Sequence, residues 1–144
     1  MLEERIKESA LYFKKIDKDG PIRIVSHLDC DGISSASILI RALENENLSY
    51  ELSIVQQLSA DFLDELKKEK HKIVFFTDLG SGNVEVVAEK LKDKVVFVLD
   101  HHKVSCEENF PNINHANPHL FGINGDKEIS GAGTVFLFCK ELNE

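Results

Sequence analysis

The sequence predicts an α/β fold: a parallel sheet of at least four strands with helices on both faces. Two observations carry that expectation. Short runs rich in Val, Ile and Phe alternate with longer amphipathic stretches. Such alternation marks strand–helix–strand units, whose right-handed crossovers leave the strands parallel. The runs are also apolar almost throughout, as strands are when both faces of a sheet are covered.

Residues 2–16 set Leu2, Ile6, Tyr12, Phe13 and Ile16 along one stripe, an amphipathic helix that Gly20-Pro21 brings to an end. Residues 22–26 are a short, β-branched, buried strand. His27-Leu28-Asp29-Cys30-Asp31-Gly32 follows, then a helix over about 33–44 with Ile33, Ala36, Ile40 and Leu43 on one side. Tyr50–Val55 reads as a second strand. Ser59 is a good N-cap for a helix whose inward face holds Phe62, Leu63 and Leu66. Residues 72–77 form the third strand, which runs out into Asp78-Leu79-Gly80-Ser81-Gly82-Asn83 before a helix over about 84–91. Residues 94–99 are the fourth strand and exit into Asp100-His101-His102. Residues 103–129, rich in Asn, Pro, Gly and His, read as irregular. Ser130-Gly131-Ala132-Gly133 opens the last helix, 134–142.

A chain of 144 residues suits one domain whose core needs no staples. No run approaches the roughly 20 apolar residues that span a bilayer, and the acidic start lacks the apolar core of a signal peptide. The expected location is the cytoplasm, with no membrane partner. Cys30, Cys106 and Cys139 are odd in number and unpaired in spacing, which predicts reduced thiols. A net charge of -8 argues against a broad basic surface for non-specific DNA affinity. It does not exclude a nucleic-acid substrate if part of that charge gathers in one cluster neutralised by cations.

In an open parallel sheet, ligands bind outside the carboxyl ends of the strands. His27, Asp29 and Asp31 lie just past the first strand, Asp78 ends the third, and Asp100, His101 and His102 follow the fourth. Strands running the same way must deliver all of these to one edge. In an extended His27-x-Asp29-x-Asp31 segment, alternate side chains share a face. Alone, Asp29 or Asp31 reads as a helix N-cap, Asp78 as a cap or turn residue, and His101 as an ordinary polar side chain. Together they read as metal ligands, because so many carboxylates cannot crowd together ionised without cations. Mixed carboxylate and imidazole ligands suit Mn²⁺, and less selectively Mg²⁺, Fe²⁺, Co²⁺ or Zn²⁺. Two such cations about 3.5–4 Å apart, sharing a carboxylate, form a clamp for phosphoester hydrolysis. His71 and Lys103 read as surface residues. His115 and His119 flank Asn117-Pro118 in a loop leaving the same edge, where a substrate role and a plain loop role are both open. The turn at Gly80-Ser81-Gly82 needs no ligand to explain it. Ser130-Gly131-Ala132-Gly133 fits helix-start geometry or a backbone cradle for phosphate.

At these residues the chain resembles the DHH phosphoesterase family, particularly its archaeal RecJ-like branch. Asp100-His101-His102 matches the triplet that names the family, and His27-Leu28-Asp29-Cys30-Asp31-Gly32 resembles its first motif. Asp78 matches the solitary second-motif aspartate, and Asn117-Pro118 with Ile129-Ser130-Gly131-Ala132-Gly133 resembles later motifs of the branch. RecJ-like members have aspartate where this chain has His27, and histidine there resembles other branches. The resemblance implies a Rossmann-like DHH domain and a phosphodiesterase using two divalent cations, Mn²⁺ or else Mg²⁺. His27, Asp29 and Asp78 would hold one cation and Asp31, Asp78 and His101 the other, with Asp78 bridging. His102 would face the scissile phosphate, Asp100 would orient ligands, and Asn117, Ser130, Gly131 and Gly133 would meet substrate. The implied substrates are single-stranded DNA or RNA, or short oligonucleotides, with replication or repair proteins as partners. A small-substrate phosphoesterase acting on a cyclic dinucleotide, nucleotide or pyrophosphate, and a non-catalytic replication scaffold, are the alternatives. The family pattern continues to a further metal-binding aspartate and a separate substrate-binding domain, yet no aspartate follows Ser130. Residues 1–144 are therefore expected to be the amino-terminal DHH domain of a longer protein, weak in hydrolysis by themselves.

Overall fold

The computed structural model describes residues 1–144 as a five-stranded parallel sheet between two layers of helices. In chain order the elements are α1 (Leu2–Lys15), β1 (Ile22–His27), α2 (Cys30–Asn45), β2 (Tyr50–Val55), α3 (Ala60–Lys68) and β3 (Ile73–Thr77). They continue with α4 (Val84–Lys90), β4 (Val95–Leu99), β5 (Ile113–Ala116) and α5 (Gly131–Leu142). Short 3₁₀ turns at Ser81–Asn83 and Pro118–Phe121 lead into α4 and out of β5. None of the helices is long and apolar enough to cross a membrane.

The strands lie in the order β2-β1-β3-β4-β5, every pair parallel. Successive side chains along a strand enter opposite layers. Ile22, Ile24, Phe75 and Phe97 face α1, α2 and α5, whereas Val25, Phe76 and Val98 face α3 and α4. On the first face Phe13 of α1 sets its ring edge-on to Phe75 and Phe97, 5.2 and 5.6 Å between centroids, and those two stack at 4.6 Å. Burying both sheet faces is what makes the strand sequences apolar throughout.

Three expectations are corrected. Residues 103–129 are not wholly irregular, because Ile113–Ala116 adds β5 to the edge beside β4. The second helix begins at Cys30 rather than near residue 33, since the Asp29 side chain accepts the Gly32 N–H and caps it there. His71 is no free surface residue: its ring lies between Glu51 (2.8 Å) and Glu69 (3.1 Å) near the amino ends of the strands.

Candidate metal centre

Strand direction sends three polar segments to the carboxyl edge of the sheet. After β1, Asp29 uses Oδ1 to accept the Gly32 N–H at 2.8 Å, and its Oδ2 stands 2.9 Å from His27 Nδ1. The helix start at Cys30 removes the extended geometry expected for Asp31. Asp31 instead sits in the first turn of α2 and reaches across to α5, accepting the N–H groups of Gly131 (2.9 Å) and Ala132 (2.8 Å). An anion at a helix N-terminus is favoured by the exposed amides there and by the helix dipole.

Asp78, just past β3, has a left-handed backbone with φ of 59°, and its N–H donates to the Leu99 carbonyl at 3.0 Å. That kink carries the buried side chain under the edge rather than along the strand direction. The amino end of α5 lies against it, and only a glycine fits at 131: a Cβ there would come within 2.5 Å of Asp78 Oδ1. After β4, His101 places Nδ1 at 2.7 Å from the Gly125 carbonyl. A carbonyl only accepts, so Nδ1 carries the proton and Nε2 is the free nitrogen. His101 Nε2 lies 3.1 Å from Asp31 Oδ2 and 3.1 Å from Asp78 Oδ1.

Two ligand-bearing groups result, His27 with Asp29 and Asp78, and Asp78 with Asp100, His101 and His102. Asp78 belongs to both. Its two oxygens and His27 Nδ1 are buried without a single hydrogen bond, although other polar atoms stand around them. Burial first, then the neighbouring Asp31, Asp29 and Asp100 carboxylates, pushes the Asp78 carboxyl up to about 8. Orphaned carboxylate oxygens and a ring nitrogen converging on one spot fit a hard cation with mixed oxygen and nitrogen ligands.

Asp100 is built differently. Its buried carboxylate accepts the His102 Nδ1–H at 2.7 Å and the backbone N–H groups of His101 (2.8 Å), His102 (3.3 Å) and Ser81 (3.1 Å). Burial opposes ionisation, but the hydrogen bonds from His102 and the backbone outweigh it and hold the group below the usual range. The Asp100 bond in turn raises the half-exposed His102 ring to about 9, against the opposing effect of burial. His102 Nδ1 is thereby tied down, which leaves Nε2 as its available edge.

The residues expected at substrate are placed otherwise. Ser130 caps α5 by accepting the Gly133 N–H at 3.0 Å, and the Gly131 N–H is already given to Asp31. The backbone cradle for phosphate is therefore occupied by the protein's own groups. Asn117 is wholly buried and cannot touch a substrate. His115 is bonded to Ser81 Oγ at 2.7 Å, and burial pushes it down to about 4. Ser81 and Gly125 were invisible to sequence reasoning, because their contacts to Asp100 and His101 are made by backbone atoms.

Comparison with known proteins gives a consistent picture. Residues 21–144 match the family described as the DHH family, N-terminal domain. An uncharacterized protein of Methanocaldococcus jannaschii is 33% identical over 149 residues, covering 96% of this chain and 34% of that protein. Exonuclease RecJ bound to manganese superposes with a TM-score of 0.77 at 23% identity, over 95% of this chain and 37% of that one. RecJ from Thermus thermophilus in complex with Mn²⁺ gives 0.69 at 26% identity, over 98% and 20%. CDC45 from Entamoeba histolytica gives 0.62 at 21% identity, over 99% and 28%. The chain thus spans only 20% to 37% of the length of these relatives.

Proposed function

The chain belongs to the DHH family, and from that premise we propose that it is a metal-dependent phosphodiesterase of RecJ-like type, acting on single-stranded nucleic acid or short oligonucleotides. The observation that carries this reading is the Asp78 carboxylate: buried, shared by both ligand groups, and accepting no hydrogen bond. His27, Asp29 and Asp78 would hold one divalent cation, and Asp31, Asp78 and His101 the other, with Mn²⁺ favoured by the donor set. Bound cations would bring a water within reach of deprotonation near neutral pH and neutralise charge at the attacked phosphorus.

The chain's own residues supply the rest. His102 directs Nε2 outward while Asp100 holds Nδ1, so the ring can donate a hydrogen bond to a phosphate oxygen without rotating away. A cleft of about 230 Å³ beside the centre is lined by Gln56, Gln57 and Asn83 together with His27, Asp78 and His102. No Lys or Arg borders it. Uncharged amides can meet sugar and base edges, while the substrate's charge falls to the cations. That division favours one or a few nucleotides held closely over a long basic track.

The test is release of label from 5′-labelled single-stranded DNA and RNA, run beside cyclic dinucleotides, with Mn²⁺, Mg²⁺ and EDTA arms. Slow, Mn²⁺-dependent cleavage of single strands that EDTA stops is the expected result. Cleavage of cyclic dinucleotides alone would replace the substrate class with a small phosphoester. Absence of both Mn²⁺ binding and cleavage would overturn the reading in favour of a non-catalytic scaffold.

A further inference from the structure

Beneath the Asp100–His102 pair lies a polar cluster centred on the buried side chains of Asn117 and Ser81. Asn117 follows β5, whose Ala116 stands opposite Leu99 in the sheet, so Asn117 leaves the sheet edge level with Asp100. Its Nδ2 donates both protons, one to Ser81 Oγ at 2.8 Å and one to the His102 carbonyl at 2.8 Å. Its Oδ1 accepts the His119 N–H at 2.9 Å, which settles the orientation of the amide. Ser81 Oγ, accepting from Asn117, is also hydrogen-bonded with His115 Nε2 at 2.7 Å, and the Ser81 N–H holds Asp100 Oδ2 at 3.1 Å. Asn117 therefore grips the His102 backbone directly and the Asp100 carboxylate through Ser81.

We propose that Asn117 is a positioning residue that fixes the aim of His102 by clamping the Asp100–His102 pair from below. A buried amide with all its hydrogen-bonding directions used has one stable pose, and it transmits that pose to the groups it holds. The Asn117 contacts reach His102 and Asp100 and none of the groups at His27, Asp29, Asp31 or His101. Its loss should misdirect His102 while leaving the cation ligands in place. The value of this aim for turnover rests on the proposed phosphodiesterase activity; the clamp itself does not.

The whole chain is tested as wild type, Asn117→Ala and Ser81→Ala, in two arms. In the first, ¹⁵N-correlated NMR of the metal-free protein follows the Nδ1 proton of His102, with backbone amide spectra as the control for folding. Wild type should show a downfield, slowly exchanging proton. Asn117→Ala should lose it with the amide spectrum otherwise retained. Ser81→Ala, which keeps the Ser81 N–H on Asp100, should retain it with faster exchange. In the second arm Mn²⁺ affinity is measured by calorimetry and cleavage by steady-state kinetics. Asn117→Ala should lower kcat by about 10- to 100-fold, the size expected for a catalytic group misplaced by about 1 Å, with KM and Mn²⁺ affinity changed less than about threefold. A protected His102 proton that survives in Asn117→Ala would overturn the proposal. So would Mn²⁺ affinity falling in step with kcat, which would mean a general loss of structure. Should Asn117→Ala not fold, an unchanged His102 proton exchange rate in Ser81→Ala overturns it. If wild type cleaves nothing, the proposed activity fails, and the NMR arm still decides the clamp.

Discussion

Replacing Asp78 by asparagine should flatten the pH dependence of metal-free stability above neutrality and abolish the response to Mn²⁺. The folded carboxyl is pushed from 3.8 to about 8 by burial and by the Asp31, Asp29 and Asp100 charges. A raised folded-state value means the proton stays on the native chain after the unfolded chain has released it. Stability is then fully present below 3.8 and declines as pH rises toward 8. His115 works in the opposite sense: its folded value of about 4 lies below 6.5, so its contribution grows with pH between those limits and masks the decline. Above pH 6.5 the Asp78 effect is uncompensated. Over the interval to pH 8, at about 1.4 kcal/mol per pH unit, it removes about 2 kcal/mol. For a chain of this size that is a fall in Tm of about 6 °C. His102, raised to about 9, slopes the same way, but its half-exposed ring is screened by solvent and contributes less. A divalent cation needs Asp78 ionised, so saturating Mn²⁺ should reverse the slope in the wild type. Calorimetric melts at pH 6.5, 7.2 and 8.0, with EDTA or Mn²⁺, measure all of this. A flat wild-type profile in EDTA, or an Asp78→Asn variant that keeps the slope or the Mn²⁺ shift, would refute the reasoning.

Gly131→Ala would drive a Cβ to within 2.5 Å of Asp78 Oδ1 and push α5 away from the centre. Titration calorimetry should then show Mn²⁺ affinity lower by about 10-fold or more. Ser130→Ala removes the α5 cap and should cost about 1 kcal/mol in urea unfolding, with KM unchanged. A rise in KM without loss of stability would return Ser130 to the substrate. In the Asp78→Asn background the His115 effect is unmasked: stability should fall by about 3 kcal/mol as pH drops from 6.5 to 4, and His115→Gln should remove that fall.

What could be read from the sequence depended on which atoms make the structure. Strands β1, β3 and β4 were legible because two covered faces demand apolar side chains, and the Ser59 cap of α3 because its hydroxyl does the work. Strand β5 was not, because Ile-Asn-His-Ala is four residues long, half of them polar, and paired only with β4. The gathering of acids and imidazoles at one edge was legible from strand direction alone. The route by which Asp31 gets there was not, since it depends on Asp29 starting α2 at Cys30 and on α5 docking beside it. Gly125, which fixes the His101 tautomer, acts through a carbonyl that every residue possesses. Asn117 was noticed but given to the substrate, because an asparagine beside a proline looks the same in sequence whether its amide faces a ligand or a buried serine.

The acidic residues of the centre divide into three that the protein satisfies and one that it does not. Asp29 holds the Gly32 N–H, Asp31 the N–H groups of Gly131 and Ala132, and Asp100 the amides of Ser81, His101 and His102. Each of these carboxylates joins one segment to another, or starts a helix, whether or not a cation is bound. The Asp78 oxygens accept from no donor, the residue occupies a left-handed backbone position, and its ionised form is opposed by burial and by Asp31, Asp29 and Asp100. The frame can therefore assemble before any metal arrives, with the electrostatic cost gathered at a single buried carboxylate. This contrasts with sites in which the ion itself organises an unfolded chain. Substitution to asparagine should sort the four accordingly. At Asp31 or Asp100, which hold two and three backbone N–H groups, it should weaken the metal-free fold by about 1 kcal/mol, because a neutral amide oxygen replaces a charged acceptor. At Asp29 asparagine caps the helix about as well and should change little. At Asp78 the same change should strengthen the metal-free fold above neutral pH, while lowering Mn²⁺ affinity more than any of the other three substitutions.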